Sequence, residues 1–382
     1  MPETINIVIG GDICPTNDTK SYFDEKNYEA LITDVKGVID DADISIFNLE
    51  CPFVDYGQKS FKTGPVLRSP TSYFEFFKYL KVTALALGNN HIKDCGEQGV
   101  ISTLDLCKKS DIGTVGAGIN NVEAKKPLVI KEKGFKVGFL SYAEHEFNLA
   151  KEREAGANHF DMLYDFDRIK DLKSQVDYLI VLYHGGIEHY AYPSPLLQKK
   201  CRKMIEVGAD LVTCQHSHII GTEEVYQGGY ILYGQGNMIY GYRKHDASWN
   251  KGVLIKIVLS KDGKTIACER SLVPFEATKT SNIRLMSREE SSSLFSEMKK
   301  RASNIKNGSY VRNEWWHFCD RKKALYLPQL LGKGRGFNKL NRILGNRLIN
   351  LIFSRRSKII TKNIIRCESH NEVLATILEF DQ

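Results

Sequence analysis

The chain has 382 residues, of which 42% are hydrophobic and 26% are charged, and its net charge is +7. This length suffices for one large α/β domain with an appendage, and the composition is typical of a soluble globular protein. No stretch approaches the roughly 20 consecutive apolar residues that a membrane span needs, so no transmembrane helix is expected.

The N-terminus and the cysteines favour a cytoplasmic location. The first residues lack the basic and apolar regions of a signal peptide, and a strand is predicted to begin at Ile5. The nine cysteines are odd in number and lack C-x-x-C spacing. We therefore expect free thiols in a reducing compartment rather than a disulfide framework or a zinc ribbon.

The first 260 residues alternate between predicted strands and helices. Short runs rich in β-branched residues predict strands at Ile5–Gly10, Ile44–Asn48, Val82–Leu87, Lys136–Tyr142, Tyr178–Tyr183, Leu211–Cys214, Tyr230–Tyr233 and Gly252–Leu259. Helical apolar spacing predicts helices at Tyr28–Ile39, Thr71–Leu80, Gln98–Lys109, Phe166–Val176 and Pro195–Val207. The alternation indicates a layered α/β domain, and the strands that are apolar throughout are expected to be covered on both faces.

Five predicted strands end in residues that are able to bind a metal ion or transfer a proton. These residues are Asp12, Asn48, Glu50, Asn89, Asn90, His91, His184, His216 and His218. Ligands of open α/β sheets bind outside the carboxyl ends of the strands, so the five ends are expected to converge on one cleft. Each residue alone has a commoner explanation as a turn, a core histidine or a structural His-x-His pair, and only the combination predicts a site.

The residue types indicate a site for two divalent metal ions. Imidazole nitrogens together with carboxylate and amide oxygens suit Mn, Fe or Zn. Two carboxylates, one asparagine and three histidines exceed the roughly four ligands of a single zinc ion, which favours a pair of ions with a bridging carboxylate. Such a pair stabilises the attacking and the leaving oxygen of a phosphoryl displacement.

Seven stretches between residues 5 and 258 carry a resemblance to a known family. They are GGDICPTN at Gly10–Asn17, NLECPF at Asn48–Phe53, LGNNHIKDCGEQG at Leu87–Gly99, GAG at Gly116–Gly118, YHGGIEHYAYP at Tyr183–Pro193, GADLVTCQHSH at Gly208–His218 and GTEEVYQGGYILYGQGNMIY at Gly221–Tyr240. In these motifs and their order the chain resembles the bacterial capsule-synthesis proteins of the CapA and PgsA type, named for poly-γ-glutamate capsules. The resemblance implies a calcineurin-like metallophosphoesterase fold, a four-layer α/β/β/α sandwich, for residues 1–275. A helical, basic extension is expected at 276–382.

The resemblance also implies a role for each metal-competent residue. Asp12 and His218 correspond to ligands of the first metal ion, and Glu50 takes the place of the bridging carboxylate. His184 and His216 correspond to ligands of the second metal ion.

The loop after the third strand is expected to combine a ligand with the catalytic groups. Asn90 corresponds to the amide ligand and His91 to the catalytic histidine that faces the substrate, and Asp94 is expected to orient a neighbour. The wider superfamily opens with D-x-H, whereas Cys14 stands two residues after Asp12 here, and N-L-E replaces G-D-x-x-D. We expect Cys14 to be a buried, inert thiol.

Four further residues are predicted to contact the substrate. Arg68, in the loop 59–70, has the geometry to clamp an anionic group, while the lysines of this loop are expected to be solvated. Asn89 lies in a motif block, and Glu188 either faces the cleft or caps the helix that follows. Asn237 is expected to orient a ligand.

The C-terminal region is strongly basic. Residues 321–367 contain thirteen lysines and arginines and no acidic residue, so the rest of the chain has a net charge of −6. Within this region Phe337–Phe353 has the spacing of a basic amphipathic helix. Such a helix lies on an anionic bilayer, packs on the main domain or binds nucleic acid, the last being least favoured because aromatic residues are not interleaved. Peripheral contact at the inner face of the membrane is therefore an open alternative.

Three functions are consistent with these observations. The first is a metal-dependent hydrolase that cleaves a phosphoester in an anionic polymer, a sugar phosphate or a lipid-linked precursor of capsule synthesis. The second is a non-catalytic subunit that binds an anionic polymer or hands it on. The third is amide or ester chemistry on a polymer such as poly-γ-glutamate.

Overall fold

A computed structural model describes residues 3–60, 62, 64–263, 265–330, 332, 335–366, 370, 371, 374 and 378. The backbone divides into two compact units, Met1–Val311 and Arg312–Gln382. The compact units divide after Val311. The domain boundary predicted between residues 275 and 276 is a different kind of division, and it stays a prediction.

The first unit is built on strands that alternate with helices. Its strands are β1 (Glu3–Ile13), β2 (Ile44–Leu49), β3 (Ala84–Ala86), β4 (Gly113–Val115), β5 (Ala117–Gly118), β6 (Leu128–Glu132), β7 (Phe135–Ala143), β8 (Gly156–Ala157), β9 (Tyr178–His184), β10 (Leu211–Gln215), β11 (Glu223–Tyr226), β12 (Gly229–Leu232), β13 (Asn237–Ile239), β14 (Lys251–Asp262), β15 (Thr265–Ala277) and β16 (Ile283–Leu285). Its helices are α1 (Lys20–Asp24), α2 (Tyr28–Ile32), α3 (Val35–Asp40), α4 (Glu75–Tyr79), α5 (Gly96–Lys109), α6 (Asn121–Ala124), α7 (Asp165–Lys173), α8 (Pro195–Glu206) and α9 (Arg288–Ile305).

The two main sheets are both mixed. The first has the strand order β16-β15-β14-β1-β2-β3-β4, and β13 pairs with the end of β1. Strands β1 to β4 are parallel, whereas β14, β15 and β16 are antiparallel. The second sheet has the order β11-β12-β10-β9-β7-β6, with a parallel centre and an antiparallel strand at each edge. The α/β class with mixed sheets is therefore confirmed.

Alternation of side chains along the strands produces four layers. The two sheets share an apolar cluster that includes Ile5, Ile7 and Ile9 of β1, Val137 and Phe139 of β7, and Ile180 and Leu182 of β9. The outer face of the first sheet packs on helices through Val8, Phe47, Phe23, Phe76 and Phe77. The outer face of the second sheet packs on α7 and α8 through Leu140, Val181, Ile169, Leu197 and Met204. The architecture is the expected α/β/β/α sandwich.

Strand register brings the polar strand ends together. Asp12 near the end of β1 is paired with Asn48 of the parallel strand β2 and with Asn237 of β13. In the second sheet His184, the last residue of β9, is paired with Gln215 at the end of β10. Because neighbouring parallel strands end at the same edge of a sheet, the residues that follow them enter one region.

The second unit is helical. Helix α10 (Gly308–Leu330) crosses the unit boundary, and it is followed by α11 (Arg335–Ile343), α12 (Arg347–Ile352) and α13 (Arg355–Arg366). The predicted helical, basic extension is confirmed in this part, although residues 331, 333, 334 and 367 of the basic region lie outside the described residues. Across the described chain, no helix combines the length and apolar character that crossing a membrane requires.

A substitution at Gly116 tests how closely the first unit is packed beside the loop of the candidate metal site that begins at Gly88. Gly116 has a positive φ of 91°, and an added Cβ would lie 2.6 Å from Ser141 Cβ and 2.7 Å from the Gly88 nitrogen. We expect Gly116→Ala to lower the free energy of unfolding by at least about 2 kcal/mol, because strain and overpacking combine.

Gly37→Ala is the matched control for this urea-unfolding measurement. Gly37 lies in α3, and nothing approaches the position of its added Cβ within 4 Å. Because alanine loses less backbone entropy than glycine in a helix, this variant should gain roughly 0.5–1 kcal/mol. Equal stabilities of the two variants would contradict the packing described here.

Candidate metal centre

The structure brings the predicted metal ligands of both sheets into one buried cluster. Asp12 lies near the end of β1, Glu50 directly follows β2, and His184 ends β9, while His216 and His218 follow β10. All five side chains are buried. The fold therefore brings residues from four separate stretches of the sequence together as one set of nitrogen and oxygen donors.

The cluster consists of two overlapping groups that share Glu50. The side chains of Glu50, His184 and His216 each offer a ligand atom within 4.8 Å of the others, and so do those of Asp12, Glu50 and His218. Glu50 Oε1 lies 3.4 Å from His184 Nε2 and 3.8 Å from His218 Nε2. A carboxylate common to both groups is the arrangement that two neighbouring cations with one bridging ligand require.

Buried atoms without hydrogen-bond partners show that the donor set fits a cation. Three buried atoms have no hydrogen-bond partner among the described residues. They are the two carboxylate oxygens of Glu50 and Nδ1 of His216. A buried carboxylate that nothing pairs with costs several kcal/mol. A divalent cation would satisfy these atoms, and mixed imidazole and carboxylate donors suit the Mn, Fe or Zn class.

Burial shifts the pKa of every charged group in the cluster toward its neutral form. It raises the pKa of Asp12 to about 7 and that of Glu50 well above its usual value, where the charge of Asp12 adds to the effect. It lowers the pKa of His216 to about 4 and those of His184 and His218 well below their usual range. Neutral imidazole is the form that binds metals, whereas a cation would have to displace protons from the carboxylates.

Both histidines after β10 are held in an unusual backbone conformation. His216 has a φ of 85° and His218 a φ of 56°, in the left-handed region that costs a non-glycine residue about 1–3 kcal/mol. Two contacts hold this turn, because the His216 nitrogen donates to Asp12 Oδ2 at 3.2 Å and His218 Nδ1 lies 2.8 Å from Asn237 Oδ1. Asn237 therefore positions His218 and leaves Nε2 of that ring on the Glu50 side.

Two asparagine side chains complete the cluster. Asn48 Nδ2 donates to Asp12 Oδ1 at 2.8 Å and lies 3.2 Å from His184 Nδ1. Asn90 Oδ1 lies 3.0 Å from His184 Nε2, on the side where Glu50 also approaches this nitrogen. Asn90 therefore lies beside one ligand group, and the role of amide ligand that the family resemblance implies for it stays a prediction.

His91 is held by a buried acid and a buried lysine. His91 Nδ1 lies 2.6 Å from Asp94 Oδ2, and Lys62 Nζ approaches both Asp94 Oδ1 and, at 3.2 Å, His91 Nδ1. The Lys62 side chain is only 4% exposed, contrary to the solvated position that the sequence suggested for the lysines of its loop. No local signal marks Lys62, because its burial depends on how the loop folds against Asp94.

A cleft of about 450 Å³ opens beside the cluster. Residues along its wall include His91, Glu188, His218, Tyr240, Arg243 and Trp249. The structure thus places Glu188 on the cleft, which was one of the two positions expected for it. The wall of the cleft therefore includes one candidate metal ligand, His218, and the predicted catalytic residue His91.

Arg68 and Asn89 do not line this cleft. Arg68 is exposed, whereas Asn89 is fully buried and its amide donates to Asn48 Oδ1 and to the Leu49 carbonyl at 3.2 and 2.7 Å. Asn89 therefore joins two loops of the site, and the substrate contact predicted for both residues stays a prediction without geometric support.

Arg243 and Trp249 form a part of the cleft that sequence reasoning missed. The guanidinium carbon of Arg243 lies 3.1 Å from the centroid of the Trp249 indole, and that indole packs on the His218 ring at 4.6 Å. Arg243 is exposed. The only signal available in the sequence was an arginine and a tryptophan in the segment that follows the last family motif.

Cys14 lies outside both ligand groups. Its thiol is buried and free, and it lies within hydrogen-bonding reach of the free thiol of Cys51. This contact and burial together raise the pKa of Cys14 well above its usual value. Cys14 is thus a buried thiol outside both groups of candidate ligands, and its inertness stays a prediction.

Residues 6–242 match the family model described as bacterial capsule synthesis protein PGA_cap. The chain belongs to this family. It is 25% identical to the capsule biosynthesis protein CapA of Bacillus anthracis over 276 residues, which are 69% of this chain and 66% of the relative. It is 27% identical to the PGA biosynthesis protein CapA of Bacillus subtilis strain 168 over 262 residues, or 66% and 67% of the two chains. The chain thus spans about two thirds of these relatives, slightly less for the first.

Solved structures show a looser likeness. The 5'-nucleotidase precursor of Thermus thermophilus is 14% identical, with a TM-score of 0.39 and coverage of 80% of this chain and 60% of that one. Vps29 of Entamoeba histolytica is also 14% identical, with a TM-score of 0.24 and coverage of 59% and 97%.

Replacing Glu50 tests the shared bridge. We expect Glu50→Gln to abolish binding of both ions, measured as the molar ratio of Mn²⁺ or Zn²⁺ in titration calorimetry of metal-stripped protein. The metal-free variant should be at least as stable as the metal-free parent, because the glutamine removes a buried acid that has no hydrogen-bond partner in the described part of the chain.

Glu224→Gln is the matched control for that variant. Glu224 is also a buried glutamate, but it pairs with Arg202 and accepts from Tyr233. This variant should bind metal normally and lose about 1–3 kcal/mol of stability, since it weakens a satisfied contact. Full metal binding by Glu50→Gln would exclude the shared-ligand arrangement.

Proposed function

We propose that this capsule-biosynthesis family member is a metal-dependent phosphoesterase that cleaves a phosphoester in a capsule polymer or its precursor. The candidate substrates are an anionic polymer, a sugar phosphate and a lipid-linked intermediate. The proposal rests on the position of Glu50, which two ligand groups share beside a cleft lined by His91. Among the described residues, the Glu50 oxygens have no hydrogen-bond partner.

The metal centre and His91 would divide the chemistry between them. When bound, two cations supply a nucleophilic water of lowered pKa and neutralise charge on the phosphoryl oxygens. His91 uses Nδ1 in the contact with Asp94, so Nε2 is the atom available to protonate the leaving oxygen in the cleft. Asp94 and Lys62 hold the ring in one orientation, which would leave that nitrogen free for a substrate in the cleft.

His91→Asn tests this assignment. We expect kcat on a chromogenic phosphomonoester or phosphodiester to fall by about 10²–10⁴ in Mn²⁺-loaded protein, because the leaving oxygen loses its proton donor. Metal stoichiometry should stay unchanged, since His91 belongs to neither ligand group. His317→Asn, at an exposed histidine of α10, is the control and should keep full activity.

The same assay separates the alternatives. Metal-loaded protein without turnover on a broad phosphoester panel, but with polymer binding, would instead support a non-catalytic subunit. Release of amines or alcohols from poly-γ-glutamate derivatives would instead support amide or ester chemistry. Amide or ester chemistry on poly-γ-glutamate has support of its own, because the relatives named above include a PGA biosynthesis protein.

Arg243 offers a test of how the cleft holds an anionic substrate. Its exposed guanidinium lies over the Trp249 ring and lines the cleft, a position from which it can bind a phosphate or carboxylate. We expect Arg243→Ala to raise KM for an anionic substrate about 10-fold to 100-fold and to change kcat less, because the arginine contacts parts of the substrate that do not react.

Lys244→Ala is the matched control, because Lys244 is an exposed cation of the same loop that does not line the cleft. Its KM should equal that of the parent protein. Equal effects of the two substitutions would mean that only the overall charge of the loop matters.

A further inference from the structure

The helices α11 to α13, here termed the basic apolar segment (Arg335–Arg366), form a surface that the family match does not reach, since that match ends at residue 242. Residues 321–367 contain thirteen basic side chains and no acidic one. Described basic side chains of the segment, among them Lys339, Arg342 and Arg347, are exposed. With no carboxylate nearby in the sequence, these cations attract an anionic partner.

The same segment exposes large aliphatic side chains. Ile343 of α11 is 71% exposed and Leu351 of α12 is 79% exposed, and Leu340, Ile359 and Ile360 are also exposed. More than half of the large apolar side chains exposed among the described residues lie in the last fifth of the chain. Exposure on this scale marks a surface that meets another apolar phase or partner.

Helix α11 shows how charge and apolar surface are arranged. Leu340 and Ile343 are three residues apart, so they lie on one side of the helix, whereas Lys339 and Arg342 lie on the adjoining side. Both pairs of side chains are exposed. A helix of this kind rests on a bilayer with its aliphatic side among the acyl chains and its cations at the headgroups.

A small slot within the second unit also combines apolar side chains with basic ones. It has a volume of about 240 Å³ and is lined by Leu327, Leu330, Phe353 and Ile365, with Lys358 and Lys362 beside them. An apolar lining with two neighbouring ammonium groups matches a lipid that has an acyl chain and an anionic headgroup.

We propose that the basic apolar segment docks on the surface of a membrane that contains anionic lipid. Nucleic acid fits less well, because exposed leucine and isoleucine side chains do not stack on bases as aromatic residues do. The same segment of a second copy also fits less well, because two strongly cationic surfaces repel each other. The contact is peripheral, since no helix among the described residues has the properties of a membrane span.

Vesicle sedimentation with the full chain tests this proposal. We expect binding to vesicles of phosphatidylcholine mixed with phosphatidylglycerol, little binding to phosphatidylcholine alone, and weaker binding as salt increases. The triple variant Lys339→Gln/Arg342→Gln/Arg347→Gln should bind about 100-fold more weakly, because each cation near the surface contributes about fivefold.

The aliphatic contribution has its own variant. Leu340→Ser/Ile343→Ser/Leu351→Ser keeps every charge and should bind at least about tenfold more weakly, because three apolar side chains no longer enter the bilayer. Circular dichroism of each variant checks that the helices remain.

Matched substitutions in the first unit serve as controls. Ile119→Ser/Val122→Ser changes apolar residues that are 56% and 66% exposed, and Lys108→Gln/Lys109→Gln/Lys126→Gln removes three exposed cations there. Both should bind vesicles like the parent protein. Equal binding to neutral and anionic vesicles would overturn the proposal, and so would parental binding by the segment variants. Binding to duplex or single-stranded DNA without binding to anionic vesicles would overturn it in favour of nucleic acid.

Discussion

The burial of Glu50 between two groups of ligands is the constraint on which the site depends. Its carboxylate has no hydrogen-bond partner among the described residues, and the pKa of that carboxyl is held far above its usual value by burial. Three buried histidines with lowered pKa values surround it and Asp12. Neutral imidazoles and protonated acids can share a dry space, whereas ionised carboxylates in that space require cations, so metal binding and proton release are coupled.

The sandwich keeps this arrangement in place because each sheet contributes part of it. Asp12 and Glu50 come from the first sheet, and His184, His216 and His218 come from the second. The isoleucines of β1 and the apolar residues of β7 and β9 lock the sheets face to face, so the distances across the site follow from core packing. The left-handed backbone at His216 and His218 is a local cost that the surrounding contacts offset.

Sequence reasoning succeeded where position followed from strand periodicity. The convergence of Asp12, Glu50 and the three histidines could be predicted because parallel strands end at one edge of a sheet. It failed where position depends on loop conformation. Lys62 was expected to be solvated, but its side chain is buried against Asp94. Arg243, which no motif marked, lines the cleft, while the substrate contact predicted for Arg68 stays a prediction. Asn89 shows a third case, since its residue type suits a substrate contact but its amide serves to join two loops.

The charge distribution explains why local cations matter for an anionic substrate. The residues outside 321–367 have a net charge of −6, so the field of this part of the chain repels anions, although the net charge of the whole chain is +7. At an ionic strength near 0.15 M that field is screened over about 8 Å, while contacts within the cleft are not. For the anionic substrate proposed above, recognition in the cleft would therefore depend on Arg243 at its wall and on the cations for which the ligand cluster is suited.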